Sequence, residues 1–387
     1  RNVNAPACFG RKGEHGIMLK TSYVGSILPL AGPVLGLLMM ALVAGCGSNG
    51  GSESAQVRVP DPPPTEREPV EETMHGETIT DPYRWLEDQQ SPETRAWIET
   101  QNQYTDSVLE QLDSRMPLKE MVADLLVKEE RSVPRLRGER LFFSKRSPGQ
   151  DLAVIYVQQG DGEPRPLIDP HGWTEDHSKS AEIMAISEEG RLLAYAVRQG
   201  GQDEVVVKVQ DVDTGADLSD ELPKARYFGL AFRPDGAGFY YTRYDKRGSR
   251  VHYHELGTDP GTDPELFGEG YGPGKIIWAQ LSPNGRYLLA TVSHGSSGSR
   301  TEIFLDDLSD AAGFQPVVTD VDARFVGAFA GDRLILHTNW KAPNFRLLSV
   351  PVSDPSLDAA TEFVPERDGV VVEGVVPAGG RLLVQLL

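Results

Sequence analysis

Few of the side chains able to do covalent chemistry are placed to do it. A serine nucleophile on an α/β sheet sits in a Gly-x-Ser-x-Gly elbow, which aims its hydroxyl out of a strand-to-helix turn. No such pentapeptide occurs in the 387 residues. The nearest imitation, Gly295-Ser296-Ser297-Gly298-Ser299, ends in serine and lies where a β-turn is expected. No residue is therefore assigned to catalysis. His252 and His254 alternate on an expected strand, so both rings share one face and could ligate a metal. No third ligand is evident nearby, and the pair reads as surface histidines; no metal or cofactor is expected. Asp306-Asp307 and Glu129-Glu130 read as solvated acidic pairs, since glycoside hydrolysis needs two carboxylates opposed across a cleft. Trp173 and Trp278 read as packing between strands rather than as sugar platforms.

One residue does carry a modification signal. The chain has two cysteines, Cys8 and Cys46, both in its first fifty residues, so no disulfide framework can staple the body. Lys20 precedes an uncharged apolar run, Val24 to Val43, and the run ends in Val43-Ala44-Gly45-Cys46. Cationic flank, apolar run and small residues are the parts of a secretory signal. The ending resembles the lipobox of bacterial lipoproteins, which implies a lipid on the Cys46 thiol and cleavage before it. An uncleaved membrane anchor is the other reading, because the run is about long enough to span a bilayer. Met18 is the expected start, and residues 1–17 are set aside. Gly47 to Ser54, then Pro60-Asp61-Pro62-Pro63-Pro64, read as a flexible tether followed by a stiffer spacer.

Bulk properties narrow the partners. A formal charge of -19 repels phosphate backbones, so nucleic acid is not an expected partner. A mean hydropathy of -0.35 argues against a polytopic membrane protein. A chain of this length can bury a sufficient core without disulfides.

Two elements precede the main body. Ser91-Pro92-Glu93 predicts a helix start: a serine cap, proline at the first position, and an acid in the first turn. Trp97, Tyr104, Val108 and Leu112 continue as one helical stripe, and Leu118, Met121, Val122 and Leu125 form a second. From Pro134 onward the helical period stops and a longer repeat begins. Gly138, Gly190, Gly236, Gly285, Gly331 and Gly380 stand at spacings of 52, 46, 49, 46 and 49. Each belongs to a turn suited to positive φ and is followed by β-rich runs, such as Arg191–Val197 and Glu204–Val209. Four short strands per period of that length predict β-propeller blades. Five units are complete and a sixth stops mid-strand at Leu387, from which truncation is expected.

The segment Asp81-Pro82-Tyr83-Arg84-Trp85-Leu86-Glu87-Asp88, flanked by His75-Gly76 and Ser91-Pro92-Glu93-Thr94, closely resembles the N-terminal signature of the prolyl oligopeptidase family. Asp211 to Leu218 and Gly238 to Tyr244 resemble blades of the same family, so the likeness runs from about residue 70 to the end. It implies a seven-bladed propeller, of which about five and a half blades are present, preceded by a short helical segment. It also implies a C-terminal α/β-hydrolase domain that holds the whole catalytic triad and lies beyond this sequence. The eight signature residues are scaffold in that family.

The expected organisation is a mainly β chain: 1–45 upstream residues and signal peptide, 46–72 linker, 73–130 helical segment, 131–387 propeller. The resemblance implies an exported serine endopeptidase, monomeric, lipid-anchored at the bacterial cell envelope and facing the periplasm or exterior. It would cleave short proline-containing peptides after proline, its propeller screening substrates by size, and this chain alone would be inactive. The rival is a non-enzymatic, membrane-tethered propeller lipoprotein that binds a partner. That rival leaves the Asp81–Asp88 segment unexplained.

Overall fold

The computed structural model describes residues 59–378 and 380–387. Cys8, the apolar run, Cys46 and the first part of the expected linker lie outside the described residues. Among the described residues no helix is long and apolar enough to cross a membrane. The chain forms two compact units that divide between Gln111 and Leu112.

The first unit holds strands β1 (Val70–Met74) and β2 (Glu77–Asp81), a 3₁₀ turn at Arg84–Glu87, and helix α1 (Pro92–Leu109). Met74 pairs with Glu77, leaving His75-Gly76 as a two-residue loop with φ of 53° and 86°. Two successive positive φ values give the primed turn whose twist matches its strands. Helix α1 starts as its sequence requires: the Ser91 hydroxyl accepts the Thr94 N–H at 3.1 Å, with Pro92 at the first position. The proline-rich stretch expected to be a free spacer instead runs along α1. Tyr104 donates to the Pro60 carbonyl (2.7 Å), Gln101 to Pro63 (3.3 Å) and Trp97 Nε1 to the Thr65 hydroxyl (3.0 Å). Proline lacks a donor but keeps its carbonyl. Composition shows the missing donor and not the acceptors that a neighbouring helix can use.

The second unit opens with helix α2 (Arg115–Leu126), which sequence periodicity grouped with α1 in a single segment ending at 130. Periodicity detects a helix and is silent on which body it joins. Leu118, Met121, Val122 and Leu125, the stripe expected to pack, are all exposed.

Five antiparallel sheets and a hairpin follow. The first comprises β3 (Glu130–Arg131), β4 (Arg135–Arg137), β5 (Arg140–Arg146), β6 (Val154–Gln159) and β7 (Arg165–Ile168). The second comprises β8 (Lys179–Ile186), β9 (Leu192–Gln199), β10 (Val205–Asp211) and the first half of β11 (Asp217–Phe232). The 16-residue β11 then leaves that sheet. Asp217 to Ala225 pair with β10, while Arg226 to Phe232 pair with β12, so one strand closes a blade and opens the next. The third blade continues through β12 (Gly238–Asp245), β13 (Gly248–Glu255) and β14 (Glu265–Phe267). The fourth runs β15 (Lys275–Leu281), β16 (Tyr287–His294), β17 (Thr301–Asp307), β18 (Gln315–Val318). The fifth runs β19 (Phe325–Ala330), β20 (Arg333–Thr338), β21 (Arg346–Pro351), β22 (Thr361–Val364), and β23 (Val372–Ala378) with β24 (Arg381–Leu386) form the final hairpin.

The core lies between blades, and strand periodicity builds it. On β9, Leu192, Ala194 and Ala196 face the third blade's Phe239 and Tyr241, while Leu193 and Tyr195 face the first blade's Phe142 and Ile155. On β16, Leu288, Ala290 and Val292 pack toward the third blade, and Tyr287 and Leu289 toward the fifth. Successive residues point to opposite faces, and both faces are covered, so central strands read as unbroken apolar runs. Each fully buried leucine, isoleucine, valine or phenylalanine among them contributes about 1.5–3 kcal/mol.

All six repeat glycines have positive φ. Gly190 also needs its missing side chain, since a Cβ there would stand 2.8 Å from the Arg137 carbonyl of the first blade. The turns of neighbouring blades thus nest through backbone, which only glycine allows at that distance.

Candidate functional site

The Asp81–Asp88 segment is a hydrogen-bonded hub. Asp81 Oδ1 accepts the Tyr83 N–H (2.9 Å) and Oδ2 accepts Arg84 Nε (3.0 Å). Those two donors, the backbone one first, hold the Asp81 carboxyl below its usual range. Arg84 reaches on to Glu72 on β1 (2.9 Å) and lies 3.4 Å from Glu87. Trp85 donates to the Glu66 carbonyl (3.1 Å) and meets Trp97 edge-to-face at 6.5 Å, while its own carbonyl accepts the Thr94 hydroxyl (3.1 Å). Asp88 Oδ1 accepts the Gln90 N–H. Strand, turn and helix are thereby tied to one arginine and one tryptophan. None of these groups pairs a nucleophile with a base, so the arrangement can position chain and do no bond-making chemistry of its own.

The remaining candidates fall out differently. His252 and His254 do share a face of β13, but both are buried, which corrects their reading as surface residues. His254 sits between two carboxylates, Nε2 at 2.9 Å from Asp220 and Nδ1 at 2.9 Å from Asp263. Asp220 also accepts the Gly257 N–H, and Asp263 accepts the Tyr241 hydroxyl (2.8 Å). Burial, followed by the bond to Asp263, raises the Tyr241 phenol above its ordinary value. His252 stacks on Tyr241 with ring centroids 5.1 Å apart, and neither ring nitrogen has a hydrogen-bond partner. Burial lowers its pKa from the ordinary 6.5. Among the described residues no set of three or more His, Cys, Asp or Glu side chains converges to hold a metal. The two aspartates were invisible as partners in sequence, standing 34 residues before His254 and 9 after it.

Asp306 is buried and its carboxyl pushed up by desolvation, so it is not a solvated acid; Asp307 beside it is held down by Arg286. The two side chains of neighbouring strand residues point to opposite faces, and they form no dyad. Glu129 and Glu130 are exposed and lie against Lys145 (3.7 Å) and Arg146 (2.9 Å). Gly295–Ser299 forms the loop between β16 and β17, far from a strand-to-helix elbow in geometry. Trp173 is half-buried against the apolar cluster shared by the first two blades. Trp278 on β15 is 40% exposed and touches Phe228 edge-on at 6.0 Å, so it packs on one side only.

A family model for the prolyl oligopeptidase N-terminal β-propeller domain matches residues 62–387. The chain belongs to this family. Prolyl oligopeptidases are serine peptidases, and the chain corresponds to their propeller half. It is 29% identical over 316 residues to the prolyl endopeptidase of Elizabethkingia meningoseptica, covering 79% of this chain and 44% of that protein. It is 27% identical over 317 residues to the prolyl endopeptidase of Elizabethkingia miricola, with the same coverage of 79% and 44%. A solved structure from a study of two prolyl endopeptidases superimposes with a TM-score of 0.77 at 29% identity, covering 84% of this chain and 49% of that chain. Prolyl oligopeptidase B of Galerina marginata, at 21% identity and a TM-score of 0.69, shares the fold over 84% of this chain and 50% of its own. The chain spans about half the length of the prolyl oligopeptidases it matches.

Proposed function

We propose that this chain is the propeller half of a serine endopeptidase that cleaves short peptides after proline. The observation that carries this reading is the match of the propeller family over residues 62–387, with relatives that are prolyl endopeptidases. Chemistry would be acyl transfer: a serine attacks the prolyl carbonyl, a histidine takes and returns the proton, and an oxyanion hole holds the developing charge. The triad would come from polypeptide outside these residues, so the 387-residue chain alone hydrolyses nothing. The propeller's part is steric, admitting short peptides and excluding folded proteins. The Cys46 signal supports attachment to a bacterial membrane by lipid, with the body facing the periplasm or exterior. The enzyme acts as a monomer.

The test is a fluorogenic peptide with proline before the reporter, assayed with the protein encoded by the whole gene and with this chain alone. Hydrolysis by the former and none by the latter is expected. Failure of the whole-gene product to cleave after proline, in the presence of folded protein, would overturn the peptidase reading and favour a tethered binding propeller. Incorporation of labelled palmitate that disappears in Cys46→Ser tests the anchor separately.

A further inference from the structure

Where β11 crosses from the second blade to the third, it forms one wall of a cavity of about 530 Å³. The crossover supplies Lys224 and Arg226, and the end of β12 with its following turn supplies Arg243 and Lys246. Two carboxylates, Glu204 and Asp245, line the same cavity. Cations therefore outnumber anions there, in a chain whose formal charge is -19.

Those carboxylates leave the cations incompletely neutralised. Asp245 serves two guanidiniums, Arg247 at 3.0 Å and Arg243 at 3.8 Å. Lys246 has no ion pair among the described residues. Lys224 stands 3.9 Å from Glu204, and Arg226 stands 3.0 Å from Asp203. Both of these pairs are exposed to water, where such pairs contribute little, so an incoming carboxylate can take the place of either acid. The Arg243 charge is also felt inside the blade, since burial first and this charge second lower the pKa of His252.

An aromatic row begins at the same cavity. Tyr244, another of its lining residues, donates its hydroxyl to the Pro273 carbonyl at 2.9 Å. Its ring meets Phe228 edge-on at 6.1 Å, and Phe228 meets Trp278 at 6.0 Å. Phe228 and Trp278 stand on β11 and β15, the first strands of the third and fourth blades, and first strands surround the central channel of a propeller. Gly229 lets these two strands approach, because a Cβ there would stand 3.2 Å from the Ala279 carbonyl. Trp278 is 40% exposed, so the row ends in an aromatic surface open to a ligand.

We propose that the cavity and the row together bind the C-terminal end of a short peptide. The carboxylate lies among Lys224, Arg226, Arg243 and Lys246, and the last apolar side chains lie along Tyr244, Phe228 and Trp278. The inference rests on the peptidase reading and deepens it, naming how the propeller engages the substrate. A terminal carboxylate is the one anion that every short peptide carries whatever its sequence, and holding it leaves an interior prolyl bond free.

The test is calorimetric titration of the 387-residue chain with acetyl-Ala-Ala-Phe bearing a free carboxylate, and with its carboxamide. The carboxylate peptide should bind at least about tenfold more tightly, as expected when hydrogen bonds to a charged group are lost. Added salt should shrink that margin. Arg243→Gln, and Lys246→Gln at its exposed turn, should each narrow it, whereas Trp278→Ala should weaken both peptides alike. Circular dichroism checks that each variant is folded. Equal binding of the two peptides, or no saturable binding of either, overturns the proposal. A carboxamide peptide with an internal glutamate that binds as tightly as the free carboxylate also overturns it, because the cavity would then take acidic side chains rather than a chain end. Cleavage after proline by the whole-gene product without carboxylate-selective binding refutes this inference alone. Selective binding without cleavage refutes the peptidase reading alone.

Discussion

His254 offers the sharpest test of how the third blade is held together. Its ring is fully buried between Asp220 and Asp263, each 3% exposed, at 2.9 Å on either side. Replacing it with alanine leaves two buried carboxylates without the ring they share, and removes a ring packed 4.9 Å from Phe239. Breaking a buried charge pair from one side costs about 3–5 kcal/mol, since the remaining charge keeps its desolvation penalty and loses its compensation. His254→Ala should therefore shift the urea midpoint far downward, by the equivalent of about 3–5 kcal/mol. The companion variants Asp220→Asn and Asp263→Asn separate charge from packing. If uncompensated charge is the cause, His254→Ala combined with both asparagines should lose less than the sum of the single losses. A loss below about 1 kcal/mol in His254→Ala, or strict additivity in the combination, would refute the reasoning and mean that the carboxylates find water or other donors.

Three further outcomes are expected. His252 is buried with both nitrogens unpartnered, and its pKa is lowered from 6.5. The unfolded chain therefore binds the proton first, so stability is fully present above about pH 6.5 and is lost as pH falls toward the lower folded value. His252→Phe, which keeps the stack on Tyr241, should flatten that acid-side slope in unfolding curves between pH 7 and about 5; an unchanged slope would assign it elsewhere. Gly190→Ala must place a Cβ at φ +74°, 2.8 Å from the Arg137 carbonyl, and should cost more than about 1 kcal/mol in chemical denaturation. Arg84→Ala removes the link between Asp81 and Glu72, and should make the β1–β2 hairpin exchange its amide hydrogens faster; unchanged exchange there would show that Trp85 alone holds the segment.

Features of this protein that depend on a few neighbouring residues were legible in its sequence. The Ser91 cap, the glycine turns and the β-rich run that became β9 are local, because φ preferences and strand propensity act within a turn or a strand. Repetition then turned local signals into an architecture, since six turns at a near-constant spacing admit few folds. The Asp81–Asp88 wording carried the family, which the match over residues 62–387 shows. What the tertiary structure decided are the relations between distant residues. Sequence placed His252 and His254 on one face and could not say that blade packing buries it, or that Asp220 and Asp263 close on it. It marked Pro60–Pro64 as a spacer, although their carbonyls serve α1. It read Asp306 as solvated, although the neighbouring residues of β17 bury alternate faces. It could not foresee that β11 runs through two sheets, because a strand's pairing partners are chosen by the chain around it. Burial and charge pairing are sums over everything that arrives from elsewhere in the chain, and no window of sequence contains them.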